Sequence, residues 1–409
     1  MTGPTELPSL PDARFAGLLD EAKALQPKTV ELRREIHRHP EQGLHLPTTQ
    51  AAVLAALDGL PLEIQLGKST SSITAVLRGG KPGPAILLRG DMDALPLQEQ
   101  TGLEYASASD GSMHACGHDA HVAMLASAAR LLAAHADELA GSVVFMFQPG
   151  EEGYHGARHM IHEGVLDAAG PRVEKAFGLH IYASTKSGVI TCKPGPIMAS
   201  ADAFFVQVTG KGGHGSAPHQ AVDPVPAAAA MVGALQTMIT RRVSVFDPAV
   251  LSVTRIEAGT TTNIIPETAE LSGTIRTLSE QTRALIRKEL PKVCEAVGTA
   301  HNCRVSAEIE PGYPVTVNDP AEASRTLTLA REVLGADHAE AMSAPVMGAE
   351  DFSYVLQRVP GAFAFLGGCP PDVTLDEVAP NHSNRVRFDE DAFPHGVAMY
   401  AAFALDALR

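Results

Sequence analysis

The sequence predicts an α/β protein, a mostly parallel sheet flanked by helices, with an inserted ferredoxin-like α+β domain. Three observations lead there. In the first half, short apolar runs alternate with helix-length segments, as strand–helix–strand units require. From about Ala199 the order becomes strand, helix, strand, strand, helix, strand, which is the split βαβ unit. The α/β pattern then resumes and ends in the apolar helix "AFPHGVAMYAAFALDAL". The expected division is residues 1–198 for the first part of the larger domain, 199–312 for the insertion and 313–409 for the second part.

A helix is expected from about Asp12 to His37, stopped by Pro40 and Gly43 in "HPEQG". His37 and His39 read as cations favourable to that helix end. "SSITAVL" and "AILLRGDMDALP" read as strands, the second buried and delivering Asp91 and Asp93 at its C-terminal end. The helix "HVAMLASAARLLAAHADEL", the strand "GSVVFMFQP", a "GEEG" turn, another helix and the strand "KAFGLHIY" follow. Asp93, Glu151, Glu152 and His180 all fall at predicted strand C-termini, where reactive groups collect in parallel sheets. Within the insertion, "ADAFFVQVTG", "AVLSVTRIEAG", "AELSGTIRTL" and "CRVSAEIEPG" are the expected strands. Its helices are "DPVPAAAAMVGALQTMITRRV" and "SEQTRALIRKELPKVCEAVGTAH", the second expected to kink at Pro291.

Composition narrows the function. The 409 residues are 45% hydrophobic and 19% charged, enough for a sizeable core and against disorder. A formal net charge of -15, with no basic cluster beyond pairs such as Arg33-Arg34 and Arg241-Arg242, excludes a nucleic-acid surface. The five cysteines are scattered without a CxxC spacing, so a reduced, cytoplasmic protein is expected. "MTGPTELPSLPDARF" lacks the basic-then-apolar order of a signal peptide, and no apolar run reaches the length of a membrane span.

"HACGHDAH", residues 114 to 121, sets three histidines and a cysteine in eight positions. Cys116 and His118, just before a helix, offer the thiolate and imidazole that suit zinc or a similar metal. A cysteine nucleophile activated at a helix N-terminus fits the same stretch, as do a satisfied cysteine and surface histidines. "QPGEEG" changes the balance: of two adjacent carboxylates on a strand-to-helix turn, one can bind metal while the other serves as a base. Ordinary helix capping would also use such a pair, but gives no reason for it to share a sheet edge with Cys116. His180 in "GLHIY" and His382 in "PNHSNRVRF" complete the group. Cys116, His118, Glu152, His180 and His382 are too many ligands for one tetrahedral zinc and suit two ions sharing a bridge. Glu151 would then be the general base and Asp93 the carboxylate that orients a histidine ligand.

"RGDMDALP", "HACGHDAH", "GEEG", "GLHIY" and "PNHS", in this order around a ferredoxin-like insertion, closely resemble the metallo-aminoacylase and carboxypeptidase family. Its members include hippurate hydrolases, bacterial N-acyl-amino-acid amidohydrolases and plant auxin-conjugate hydrolases. The resemblance spans essentially the whole chain. It implies a two-metal centre bridged by Cys116, with His118, Glu152, His180 and His382 as the other ligands and Glu151 as proton shuttle. The broader family has a bridging Asp and an HxD motif. Here Asp91-x-Asp93 and Cys116 stand instead, which points to the aminoacylase and hippurate-hydrolase branch and leaves zinc, manganese or cobalt open.

The resemblance also implies that His214, in "GKGGHGSAPH", stabilises the oxyanion in the other subunit of a homodimer formed through the insertion. It further implies that Asn263 and Arg276 bind the substrate carboxylate. The same stretch formally matches a dinucleotide fingerprint, Gly210-x-Gly212-x-x-Gly215, but no strand with a ribose-binding acid follows and Pro218 interrupts the turn. His155, His159 and His162 share a helical face without an acid or cysteine and read as solvated. Glu350 and Asp351 in "GAEDFS" fit either a helix cap or an active-site loop.

The expected activity is metal-dependent hydrolysis of the amide of N-acyl or N-aroyl amino acids, with Glu151 moving the proton from water to the leaving amine. A dipeptidase or carboxypeptidase with the same centre is the nearest alternative. A non-catalytic metal-dependent binder would need no base such as Glu151. A cysteine-nucleophile amidase would keep its activity in the presence of chelator.

Overall fold

The structure, a computed structural model, describes residues 15–409. The N-terminal segment Met1–Arg14, where the signal-peptide reading and the start of the first helix fall, lies outside the described residues. By internal contacts the chain forms two compact units. The first runs to Gly195 and resumes over Val317–Ser343 and Tyr354–Arg409; the second comprises Pro196–Thr316 and Ala344–Ser353. The short return of 344–353 to the second unit is not part of the sequence-based division.

The first unit is built on an eight-stranded sheet. In spatial order its strands are Leu62–Leu66, Ile73–Arg78, Ala140–Gln148, Lys81–Asp91, Val173–Tyr182, Gly361–Gly367, Ile190–Cys192 and Ala339–Ala341. The central run from Ala140–Gln148 to Gly361–Gly367 is parallel throughout. Antiparallel pairs occur on either side of it. Lys81–Asp91 is buried on both faces from Ala85 onward, which is why "AILL" is continuously apolar rather than alternating. Because Ala140–Gln148, Lys81–Asp91 and Val173–Tyr182 are adjacent and parallel, their C-termini open on the same edge of the sheet. That edge carries the candidate site.

Helices Leu18–Arg38, His118–Ala134 and Phe393–Ala407 pack on one another, and the last two also on these central strands. His118–Ala134 is buried almost throughout, so its Ala-rich composition reflects close approach on all sides. It starts from Gly117 at φ 91°, a left-handed conformation that favours glycine. A Cβ at Gly117 would also lie 2.4 Å from Ile181 Cγ2. The glycine between Cys116 and His118 is therefore required twice over.

His37 lies in the last turn of Leu18–Arg38, as the sequence reading expects. His37 is 2% exposed and its Nδ1 lies 2.7 Å from Asp119 Oδ2, which Arg33 Nε also approaches at 2.8 Å. It therefore belongs to a buried charge network as well as to the helix end.

The second unit has a four-stranded antiparallel sheet in the order Ala249–Ala258, Thr268–Thr277, Asp202–Thr209, Arg304–Pro311. Helices Pro224–Arg242 and Glu280–Ala300 cover one face, burying Phe204, Val206, Met231, Leu235, Ile286 and Leu290. This is the ferredoxin-like order the sequence predicts. Glu280–Ala300 runs as one helix with Pro291 inside it. Among the described residues no helix is long and apolar enough to cross a membrane.

Candidate metal centre

Each expected ligand in the first unit is held by a different element. Cys116 ends the loop before the His118–Ala134 helix, and His118 is that helix's first residue. Glu151 and Glu152 follow the strand Ala140–Gln148, His180 lies near the end of Val173–Tyr182, and His382 sits in a loop at φ 68°. Folding brings these separate segments together. Cys116 Sγ lies 3.3 Å from His180 Nε2 and 3.2 Å from His382 Nε2. His382 Nε2 is also 3.3 Å from Glu152 Oε1, which lies 3.9 Å from His118 Nε2.

The ligand atoms form two overlapping groups around the sulfur, Cys116–His118–His180 and Cys116–Glu152–His382, with all atoms within 4.8 Å in each. A third group, His118–Glu151–Glu152, brings the Glu151 carboxylate to the same place. Both ring nitrogens of His118 are buried without a well-formed hydrogen bond, although Asp91 Oδ2 lies 3.3 Å from Nε2 and Asp93 Oδ1 3.5 Å from Nδ1. Leaving buried polar atoms unpaired is costly, and cations among these donors would remove that cost. Thiolate, imidazole and carboxylate are donors that suit divalent transition metals, so the residues fit such ions.

The electrostatics agree. Burial pushes the Cys116 thiol above its usual range, and Glu152 adds to the shift. Hydrogen bonds to Cys116 and Glu152 push His382 up to about 10. Burial depresses His118, but Asp91 and Cys116 outweigh it and hold the imidazole well above its ordinary value. Burial and neighbouring His121 hold His180 well below its own. The raised imidazoles report the carboxylates around them, while the Cys116 thiol would have to give up its proton to a bound ion and the neutral His180 offers its lone pair directly.

Asp93 accepts from the backbone N–H of Glu151 at 2.9 Å and of Glu152 at 3.0 Å, and its Oδ1 is 3.5 Å from His118 Nδ1. The carboxylate thus fixes the turn carrying both glutamates as well as approaching a histidine. Sequence reasoning did not give roles to Asp91 and His121. His121 Nδ1 pairs with Asp91 Oδ1 at 2.6 Å, while the N–H of Ile181 donates to His121 Nε2 at 2.7 Å. Asp91 Oδ2 accepts from Arg89, whose Nε donates to Gln148. Asp91, His118 and His121 also cluster, but the Arg89 guanidinium at 2.8 Å already supplies the positive charge there. This trio supports the centre and does not make another ion site.

The three substrate-binding expectations lie in the second unit. His214 is exposed on a two-stranded ribbon opposite Ile264. Its Nδ1 accepts from the N–H of Ser216 at 3.1 Å, so a neutral ring carries its proton on Nε2. Asn263 lies beside it, its backbone oxygen accepting from Gly215 N–H at 2.9 Å. This ribbon is no strand-to-helix turn, which agrees with rejecting the dinucleotide fingerprint. Arg276 is half-buried, its pKa lowered by burial against the pull of Asp202. No side-chain hydrogen bond of Arg276 is found among the described residues. Of the remaining histidines, His155 caps the helix Gly156–His162 and meets the Tyr354 hydroxyl at 2.9 Å. Glu350 and Asp351 are both buried, and Glu350 accepts from Phe352 N–H.

Comparison with known proteins agrees with the family resemblance read from the motifs. The family model for peptidase family M20/M25/M40 matches residues 87–406. The chain is 38% identical over 401 residues to thermostable carboxypeptidase 2 of Saccharolobus solfataricus, covering 95% of this chain and 97% of that one. It is 36% identical to N-acetylcysteine deacetylase of Bacillus subtilis, over 87% of this chain and 94% of the relative. Hippurate hydrolase of Campylobacter jejuni is 33% identical over 96% of this chain and its own full length. Among solved structures, a dinuclear metal-binding M20 peptidase of Bacillus subtilis superposes with TM-score 0.81 at 32% identity, covering 94% of this chain and 99% of its own. The chain belongs to peptidase family M20/M25/M40 and is a metal-dependent amidohydrolase.

Proposed function

We propose that this protein cleaves N-acyl or N-aroyl amino acids to a carboxylic acid and a free amino acid, using two divalent ions at the cluster around Cys116. The carrying observation is the convergence of Cys116, His118, Glu152, His180 and His382 beside Glu151 at one sheet edge. Cys116, common to both ligand groups, is the proposed bridge; zinc, manganese and cobalt are the candidate ions. Bound there, the ions would polarise the amide carbonyl and make water acidic enough to lose a proton near neutral pH.

The chain's own residues do the rest. Glu151, held through its backbone by Asp93, takes the proton of the attacking water and returns it to the leaving amine. His121 and Asp91 keep Ile181, and with it His180, in place. His214, with its proton on Nε2, is suited to donate to the oxyanion, and the half-buried Arg276 with Asn263 to hold the substrate carboxylate. A homodimer joined through the insertion, with His214 of one chain serving the other, is the assembly under which that role holds. Five buried, unpaired cysteines suit a cytoplasmic location.

A second reading, a carboxypeptidase or dipeptidase, is favoured by the 38% identity to a carboxypeptidase. A panel of N-benzoyl-glycine, N-acetyl amino acids and dipeptides, each measured for kcat/KM with and without chelator, separates them. Chelator-sensitive preference for acyl or aroyl substrates is expected; preference for dipeptides would favour the second reading. Full activity under chelation would refute both.

A further inference from the structure

We infer that Asn381 is a positioning residue for the metal centre, its side-chain amide setting the spacing of Cys116, His180 and His382. The inference rests on the ligand set proposed above. Asn381 Nδ2 donates to the backbone oxygens of Cys116 and Ile181, each at 3.0 Å. Its Oδ1 accepts from the N–H of Ala183, also at 3.0 Å. Both amide hydrogens and the carbonyl are thereby committed to backbone. The segments so joined carry three different ligands: Cys116 itself, His180 one residue before Ile181, and His382 one residue after Asn381.

Ile181 is the junction. Its carbonyl accepts from Asn381 and also from His180 Nδ1 at 2.7 Å, which uses both of its lone pairs. That bond puts the His180 proton on Nδ1 and leaves Nε2 facing Cys116 Sγ. Asn381 thus acts on His180 by fixing the carbonyl that sets its tautomer and direction.

The three imidazoles do not depend on this clamp equally. His118 begins an almost wholly buried helix, and His180 lies on a strand paired on both sides. His382 sits in a loop with its side chain 54% exposed, held by its own N–H to Ala115 O at 2.8 Å and by the neighbouring Asn381. Loss of the amide should therefore free His382 most. The ion held by Cys116, Glu152 and His382 should weaken while the one held by Cys116, His118 and His180 stays.

The test is a titration of the full chain with Co2+ alone, followed by the thiolate-to-cobalt charge-transfer and d–d absorption bands. Wild type, Asn381→Ala and Asn381→Asp are compared, with the melting temperature of each metal-free protein as control. The aspartate keeps the acceptor for Ala183 but turns a carboxylate toward two carbonyl oxygens. Wild type should take up two ions. Both variants should bind one at near wild-type affinity and the other about 10–100-fold more weakly, with metal-free melting unchanged. If Asn381→Ala does not fold, Asn381→Asp carries the same comparison. Any result in which one ion is not selectively weakened, whether both bind normally or both weaken together, overturns the inference. A wild type that takes up fewer than two ions would instead sink the ligand set itself, so the two failures are distinguishable.

Discussion

The two units solve different problems with histidine. In the first, His118, His121 and His180 are buried and each ring meets a fixed partner or a cluster of ligand atoms. In the second, His214 stands exposed on a short ribbon, and among the described residues its side-chain hydrogen bonds come from Ser216, two residues on. Buried imidazoles are held by long-range packing, so their geometry is rigid and their replacement disturbs the scaffold. An exposed imidazole can change partners at little structural cost, which suits a group that meets a substrate and must release it. On the proposed function, chemistry belongs to the sheet edge and recognition to a surface ribbon.

That contrast can be broken or sharpened by four substitutions. The largest effect is expected from Glu151→Gln, which keeps the shape and removes the base. Turnover should fall about 10²–10⁴-fold with metal content retained, as read by steady-state kinetics beside elemental analysis. A variant that keeps most of its rate would reassign the base.

Next comes stability within the second unit. Asp202 and Arg283 form a buried bidentate pair at 2.7 and 2.9 Å, and Asp202 also accepts from Gly312 N–H. Asp202→Ala leaves the buried guanidinium with only Glu280 and the Gly312 oxygen as partners, and should cost about 3 kcal/mol in urea unfolding. A loss below about 1 kcal/mol would show the pair behaves like a surface ion pair.

His214→Ala should lower kcat by about 10²–10³-fold while leaving unfolding unchanged, because the side chain is exposed and its loss opens no cavity. Equal loss of activity and stability would contradict the division drawn here. The smallest effect is expected from Asp93→Ala, about 10–100-fold in metal affinity or rate, since it acts by orienting Glu151, Glu152 and His118. Competition with a chromophoric chelator reads it. An unchanged affinity together with an unchanged rate would remove Asp93 from the account.

Much of this architecture was legible in the chain. Runs such as "AILL" and "SVVFMF" mark strands buried on both faces, and the abrupt turns after them identify where polar residues leave the sheet. The order of strands and helices in the insertion likewise fixed its topology without any contact being known. Less legible were the supports. His37 finds Asp119 from 82 positions away, and Asn381 reaches Cys116 across 265. Such pairings leave no periodic trace, because neither partner's neighbours change character to accommodate them.

The most direct test of the metal centre is the number of zinc ions retained per chain after dialysis, measured for wild type and Cys116→Ala. Two ions in the wild type and fewer in the variant are predicted, because the sulfur belongs to both ligand groups. One ion or none in the wild type, or two in Cys116→Ala, would contradict the account.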